Sequence, residues 1–253
     1  PSTENLIKIQ KELIGEWTAN GMDYGDALGK LKSNPKYKEA REKSKETWLA
    51  KGMYETRDVR RRAEKCAECH IGNSPGRQIT HDMMGAGHPD LSFELASDSF
   101  DVPKHWRDKR SWLPGVDEGN WFYVRLWVVG QMISMREAMK ALADTKEATP
   151  DFAMLDCYSC HHEFLRTPSR EASTKKVGRV GEPTWNEAPF ILARHAARAI
   201  DPSSFTQIER HLADLQSAIS IRHADWDKVH SAAKSLVAIA DRLAHAANVK
   251  QFD

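Results

Sequence analysis

Cysteine and histidine set the chemistry open to this chain. Cys66-Ala67-Glu68-Cys69-His70 and Cys157-Tyr158-Ser159-Cys160-His161 repeat one spacing, and all four cysteines fall within these two runs. In a Cys-x-x-Cys-His run, the two thiols are placed to add to the vinyl groups of a haem as thioethers. The histidine that follows takes the iron through a ring nitrogen. On a helix, cysteines three apart lie on one face of neighbouring turns, so both sulfurs reach the same planar ligand. A four-thiolate zinc site and a dithiol redox centre share the Cys-x-x-Cys spacing. Neither requires a histidine directly after the second cysteine, and the two runs lie farther apart than the halves of a compact zinc ribbon. The expected cofactors are therefore two covalently attached c-type haems (iron). Cys66, Cys69, Cys157 and Cys160 bind them, with His70 and His161 as proximal ligands.

The opposite face of each iron decides the function. A second histidine or a methionine there suits outer-sphere electron transfer, whereas an open face admits a small molecule. His81 and His88 are the expected distal ligands, one to each haem. They stand in an irregular stretch close to the first motif, where Gly85 and Gly87 permit close approach. His105 is the reserve. His162 follows a proximal ligand directly and is badly placed to reach the other face of the same haem. His195 sits among alanines, and His211, His223, His230 and His245 lie on charge-rich amphipathic segments. Met132, Met135 and Met139 recur at helical spacing, for which core packing is the expected role.

These residues must be carried by helices, because no stretch shows a strand alternation. Ser2 or Thr3 can cap a first helix with Leu6, Ile9, Leu13 and Trp17 inward, ending near Gly21. Asn34-Pro35 should open a second, running to Gly52, with Tyr37, Ala40 and Trp48 inward. A third, from about Thr56, leads into the first motif. Its Arg60, Arg61, Arg62 and Lys65 read as a solvated basic face, the alternative being an arginine paired with a haem propionate. Residues 71–120 are rich in loops and tryptophans (Trp106, Trp112) and are expected to wrap the porphyrins. A short helix over Pro89–Ala96 would leave His88 at its cap. The most apolar helix spans 121–145, and Thr149-Pro150-Asp151 starts a helix carrying the second motif as far as Leu165. Glu187–Ile200 forms a further helix. After it, Phe205, Ile208, Leu212, Leu215 and Ile219, then Trp226, Val229, Ala233, Leu236, Ala240 and Leu243, repeat at three and four residues, the seam of an antiparallel hairpin. The expected architecture is mostly α, with an N-terminal helical segment (1–62), a dihaem core (63–168), a linker (169–186) and a C-terminal helical bundle (187–253). These parts are compatible with a single packed domain.

The 253 residues suffice for a substantial core, and the formal net charge of +1 argues against an electrostatic nucleic-acid binder. No apolar run approaches the roughly 20 residues that span a bilayer. Attachment of c-type haem takes place outside the cytoplasm. A removed export signal and a periplasmic location are therefore expected.

The run from Cys66 to His70, with Thr80-His81-Asp82-Met83-Met84-Gly85-Ala86-Gly87-His88-Pro89-Asp90-Leu91-Ser92-Phe93-Glu94-Leu95, resembles multihaem c-type cytochromes of the c-554-like kind. So do Trp127-Val128-Val129-Gly130-Gln131 and Asp156-Cys157-Tyr158-Ser159-Cys160-His161-His162, and the likeness covers about residues 63–187. It implies a periplasmic electron carrier with mainly bis-histidine haems, although this chain has only two haem motifs. Electron relay between redox partner proteins is the leading expectation, and a homo-oligomer is compatible with it. The rivals are an oxidoreductase or peroxidase with one open haem, acting on peroxide or a small nitrogen or sulfur compound, and a gas-binding haem bundle resembling cytochrome c-prime.

Overall fold

A computed structural model describes residues 2–56, 58–72, 77–89, 93–101, 122–146, 150–161, 183–219 and 224–249. The fold is all-α, and the β-type pairing among the described residues is the isolated antiparallel bridge Leu155–Trp185. Two compact units form, one from residues 2–56 and one from the described residues beyond Arg57.

The first unit holds α1 (Ser2–Ala19), α2 (Tyr24–Ser33) and α3 (Pro35–Ala50) around Ile9, Trp17, Ala27, Leu31, Tyr37 and Ala40. Asn34 accepts a hydrogen bond from the Tyr37 N–H at 3.2 Å, and Pro35 occupies the first turn, so α3 starts where the cap and proline place it. Thr3 lies inside α1, where its hydroxyl accepts the Trp48 indole N–H at 2.8 Å and ties α1 to α3. Helix α2 was not among the expected elements. Asp23 caps it by accepting from the Gly25 N–H at 2.7 Å, and Ala27 and Leu31, four apart, are its buried stripe.

The second unit is built on α7 (Phe122–Ala143). Leu126, Val128, Val129, Met132, Ile133, Met135, Met139 and Leu142 are buried on it, so the helix is apolar nearly all round and its methionines pack the core as expected. Around α7 lie α4 (Val59–His70), α6 (Leu95–Asp101), α8 (Ile191–Ile200) and α10 (Trp226–Val249), with α9 (Pro202–Ala218) packed on α8 and α10. The α9–α10 pair is the expected antiparallel hairpin. Arg242 at one end donates to Ser204 at 2.9 Å, and Lys228 at the other donates to Ser217 at 2.8 Å. One core cluster joins Val59, Ala63 and Ala67 of α4 to α7 and the C-terminal helices.

The basic face expected on α4 is only partly solvated. Arg61 is exposed, but Arg62 is buried, and Arg60 donates to Asp241 of α10 at 2.8 Å. Arg136 of α7 donates to Glu64 at 2.9 Å, to Asp241 at 2.6 Å and to Glu137 at 2.7 Å. Burial opposes the Arg136 charge, but these carboxylates outweigh it and hold the guanidinium protonated well beyond its ordinary range. Arg60 of α4 and Arg136 of α7 thus clamp α4 to the bundle through Asp241 and Glu64.

Two expected helices differ. The one placed at Pro89–Ala96 begins instead at Leu95, where the Glu94 side chain accepts from the Ala96 and Ser97 N–H groups at 3.1 and 2.8 Å. The helix expected from Thr149 to Leu165 is replaced, within the described residues, by 3₁₀ turns at Phe152–Met154 and Cys157–Ser159. Asp151 and Asp156 each accept from the N–H two residues ahead, at 2.8 and 3.2 Å, and this local bonding competes with the helical ladder. No helix among the described residues is long and apolar enough to cross a membrane. The tryptophans expected to wrap a haem, Trp106 and Trp112, lie outside the described residues, as do His105, His162 and His223.

Candidate metal centres

The first centre is built on a helix end. Asp58 starts α4 by accepting the Arg61 N–H at 2.9 Å, and the Asn248 side chain of α10 holds the same carboxylate at 3.0 Å. Ala63 and Ala67, one turn apart, pack on α7, so α4 approaches closely with no side chain to spare. Cys66 is half-buried beside this seam, while Cys69 and His70 at the last turn are exposed. Burial pushes the Cys66 thiol up, with the Arg62 charge acting against it. Past the helix, Gly72 has φ +71°, and a Cβ there would lie 2.3 Å from the Arg77 carbonyl oxygen, so the chain can turn only with glycine. The His70 imidazole stacks on Phe93, with ring centres 4.7 Å apart and planes 24° apart.

The second centre is built on turns. Leu155 bridges to Trp185, and Asp156 N–H donates to the Thr184 carbonyl at 2.8 Å, so a short extended stretch presents the 3₁₀ turn at Cys157–Ser159. His161 N–H closes the motif on the Cys157 carbonyl at 2.7 Å. Cys157, Cys160 and His161 are all exposed, and so are the neighbouring side chains of Phe152 and Tyr158. The expectation of two cysteines on one helical face holds for the first motif and not for this one.

His81 arrives here from far along the chain. It opens the short helix α5 (His81–Gly85), capped by Thr80, and its own N–H donates to the Asp151 carboxylate at 3.0 Å. The same Asp151 oxygen caps the Phe152–Met154 turn, so one carboxylate joins the two segments. The His81 ring meets the edge of Phe152 at 5.5 Å and stands 6.1 Å from the His161 ring, centre to centre, with planes tilted by 35°. Two imidazoles binding one metal from opposite sides have centres roughly 6.3 Å apart, given metal–nitrogen bonds of about 2.0–2.1 Å and about 1.1 Å from nitrogen to ring centre. The 6.1 Å between the His81 and His161 ring centres is close to that separation, and the thiols of Cys157 and Cys160 and the rings of Phe152 and Tyr158 beside them are exposed.

His88 stands exposed just beyond α5. Gly87, at φ +100°, lets its N–H return to the Met83 carbonyl at 3.0 Å, a left-handed helix stop and not the helix cap expected for it. The His88 Nδ1 lies 2.7 Å from the Pro89 carbonyl oxygen, which can only accept. Donation from Nδ1 to that carbonyl is the backbone contact that a histidine ligating through Nε2 uses to hold its ring. Sequence reasoning missed Phe93 and Asp151. Asp151 looked like a helix start, and nothing local announces that Phe93 meets an imidazole 23 residues earlier.

No protein family, curated protein or solved structure matches the chain.

Proposed function

We propose that this chain is a dihaem c-type cytochrome that relays electrons between redox partner proteins, in the manner of the multihaem cytochromes its motifs resemble. The observation that carries the reading is the His81–His161 pair, two imidazoles from separate segments at the spacing of a shared metal axis. Cys157 and Cys160 would attach the second haem, with His161 and His81 as the residues that would ligate its iron. Cys66, Cys69 and His70 would hold the first, with His88 as the histidine that would serve its other ligand position. The four thiols would hold the haems as thioethers. When bound, the haems supply a one-electron iron couple. The protein's part would be to hold the ligating imidazoles in place so that they move little between oxidation states. Asp151 does so for His81 by fixing the backbone N–H from which the imidazole projects. Paired imidazoles keep the potential below that of a histidine–methionine pair. Covalent haem attachment takes place outside the cytoplasm, and that chemistry supports a periplasmic location.

Intact mass should show two haem additions that survive denaturation; bound zinc, or fewer haems, overturns the reading. Carbon monoxide should leave the parental spectrum unchanged, whereas His81→Ala should make one haem high spin and able to bind the gas. A parental haem that already binds carbon monoxide would move the open-haem oxidoreductase ahead.

A further inference from the structure

His70 is the last residue of α4, and its side chain is exposed. What it meets is Phe93, face to face at 4.7 Å and 24°. Phe93 is itself held from behind. Glu94 caps α6 through Ala96 and Ser97, and its own N–H donates to Asp98 at 3.1 Å, a reciprocal lock on the chain next to Phe93. Leu95, buried, presses into the notch left by Gly130 of α7, where a Cβ would come within 2.8 Å of the Leu95 Cβ. Gln131, also buried, reaches Glu94 Oε1 at 3.5 Å. Helix α7 thus carries α4 on its seam with Ala63 and Ala67, and holds Phe93 through the Gly130 notch. Both members of the stack are registered against one rigid element.

We propose that Phe93 is a positioning residue for His70. Its ring face fixes the rotation of the imidazole plane about the ligating bond, and Gly130 sets where Phe93 stands. A stack on the face of an imidazole leaves its edge nitrogen free, so the contact is compatible with ligation and restricts only the ring's rotation. That rotation sets how the imidazole π system meets the iron d orbitals, and partners that orient a ligating histidine tune the metal. The His81–His161 pair has a different neighbour, the edge of Phe152, so the two centres should differ spectroscopically.

This inference rests on the haem reading, and its test separates the two. Holoprotein variants Phe93→Leu, Phe93→Tyr and Gly130→Ala are first weighed for haem content. Loss of both haems from the parental protein would sink the haem reading itself. With two haems present, electron paramagnetic resonance should give two low-spin signals. Phe93→Leu should shift the g values and midpoint potential of one and leave the other in place. Phe93→Tyr, which keeps the ring, should retain the parental signal. Gly130→Ala should move the same signal in a smaller measure by displacing Leu95 and Glu94. If Phe93→Leu does not fold, the Gly130→Ala signal decides. Both signals unmoved in the variants that fold would overturn the positioning role while leaving the cytochrome intact.

Discussion

The two Cys-x-x-Cys-His runs have the same pattern and are built by different physics. The first ends a regular helix held by packing, with Ala63 and Ala67 buried on α7 and a cluster of charges closing the flank. The second is turned by side chains that bond to the backbone, Asp151 and Asp156, with its cysteines and histidine exposed. A five-residue motif therefore does not dictate its scaffold. It needs two sulfurs and an imidazole on one side of a plane, and either a helix end or a 3₁₀ turn can offer that. What differs is the source of rigidity, buried surface in one case and a few hydrogen bonds in the other.

The contrast can be broken most forcefully at Arg136. Arg136→Ala leaves Glu64 and the buried Glu137 without their main cation. Breaking a largely buried ion pair costs about 3 kcal/mol, somewhat less here because Arg60 stays beside Glu64 and Lys140 beside Glu137. Denaturant unfolding should show that loss. Limited proteolysis should open α4 and the first motif before the second, and equal loosening of both would argue against separate supports.

Asp151→Ala attacks the other side. It removes an acceptor shared by the His81 and Ala153 N–H groups, at a cost of about 1–2 kcal/mol, as for a lost helix cap. The expected local effect is larger than the stability change suggests, because His81 loses its anchor. One haem should gain carbon monoxide binding while the other stays unchanged, and Asp151→Asn, which keeps an acceptor oxygen, should largely preserve the parental spectrum. Unaltered spectra in Asp151→Ala would show that His81 is placed by something else.

The smallest effect concerns acid. Burial acts to raise the Asp241 carboxyl, but the Arg136 hydrogen bond and the Arg60 charge outweigh it and hold it below its ordinary range. A depressed folded value contributes stability above the unfolded carboxylate range, near pH 4, and that contribution fades as pH falls through the lower folded value. Hydrogen exchange along α4 should therefore quicken below about pH 4 relative to the turn at Cys157–Ser159. Asp241→Asn should flatten this dependence, and a parental-like profile in that variant would exclude the carboxylate as its source.

Where sequence reading succeeded, the signal was long or chemical. The α9–α10 hairpin repeats its apolar residues over five turns, and the Asn34-Pro35 start of α3 combines a cap with a proline, so burial and local bonding agree. It failed on short elements. Helix α5 has five residues and α6 seven, too few to be stable alone, so tertiary contacts choose their ends. Pro89 could open a helix by its fixed φ, but the reciprocal bonding of Glu94 with α6, wedged by Leu95 into Gly130, sets the start six residues later.

The sequence by itself determined the chemistry on offer: two paired thiols each followed by an imidazole, further histidines nearby, and an all-α scaffold with a buried methionine-bearing helix. Those follow from residue type and from periods of three to five residues, which the local chain enforces. Only the tertiary structure decided which partners meet. His81 faces His161 across 80 positions, and Phe93 rather than another side chain covers His70. Such pairings depend on where a carboxylate bridges two segments and where a missing Cβ lets two helices touch. No local pattern encodes either one, because each needs both partners in place before it stabilises anything.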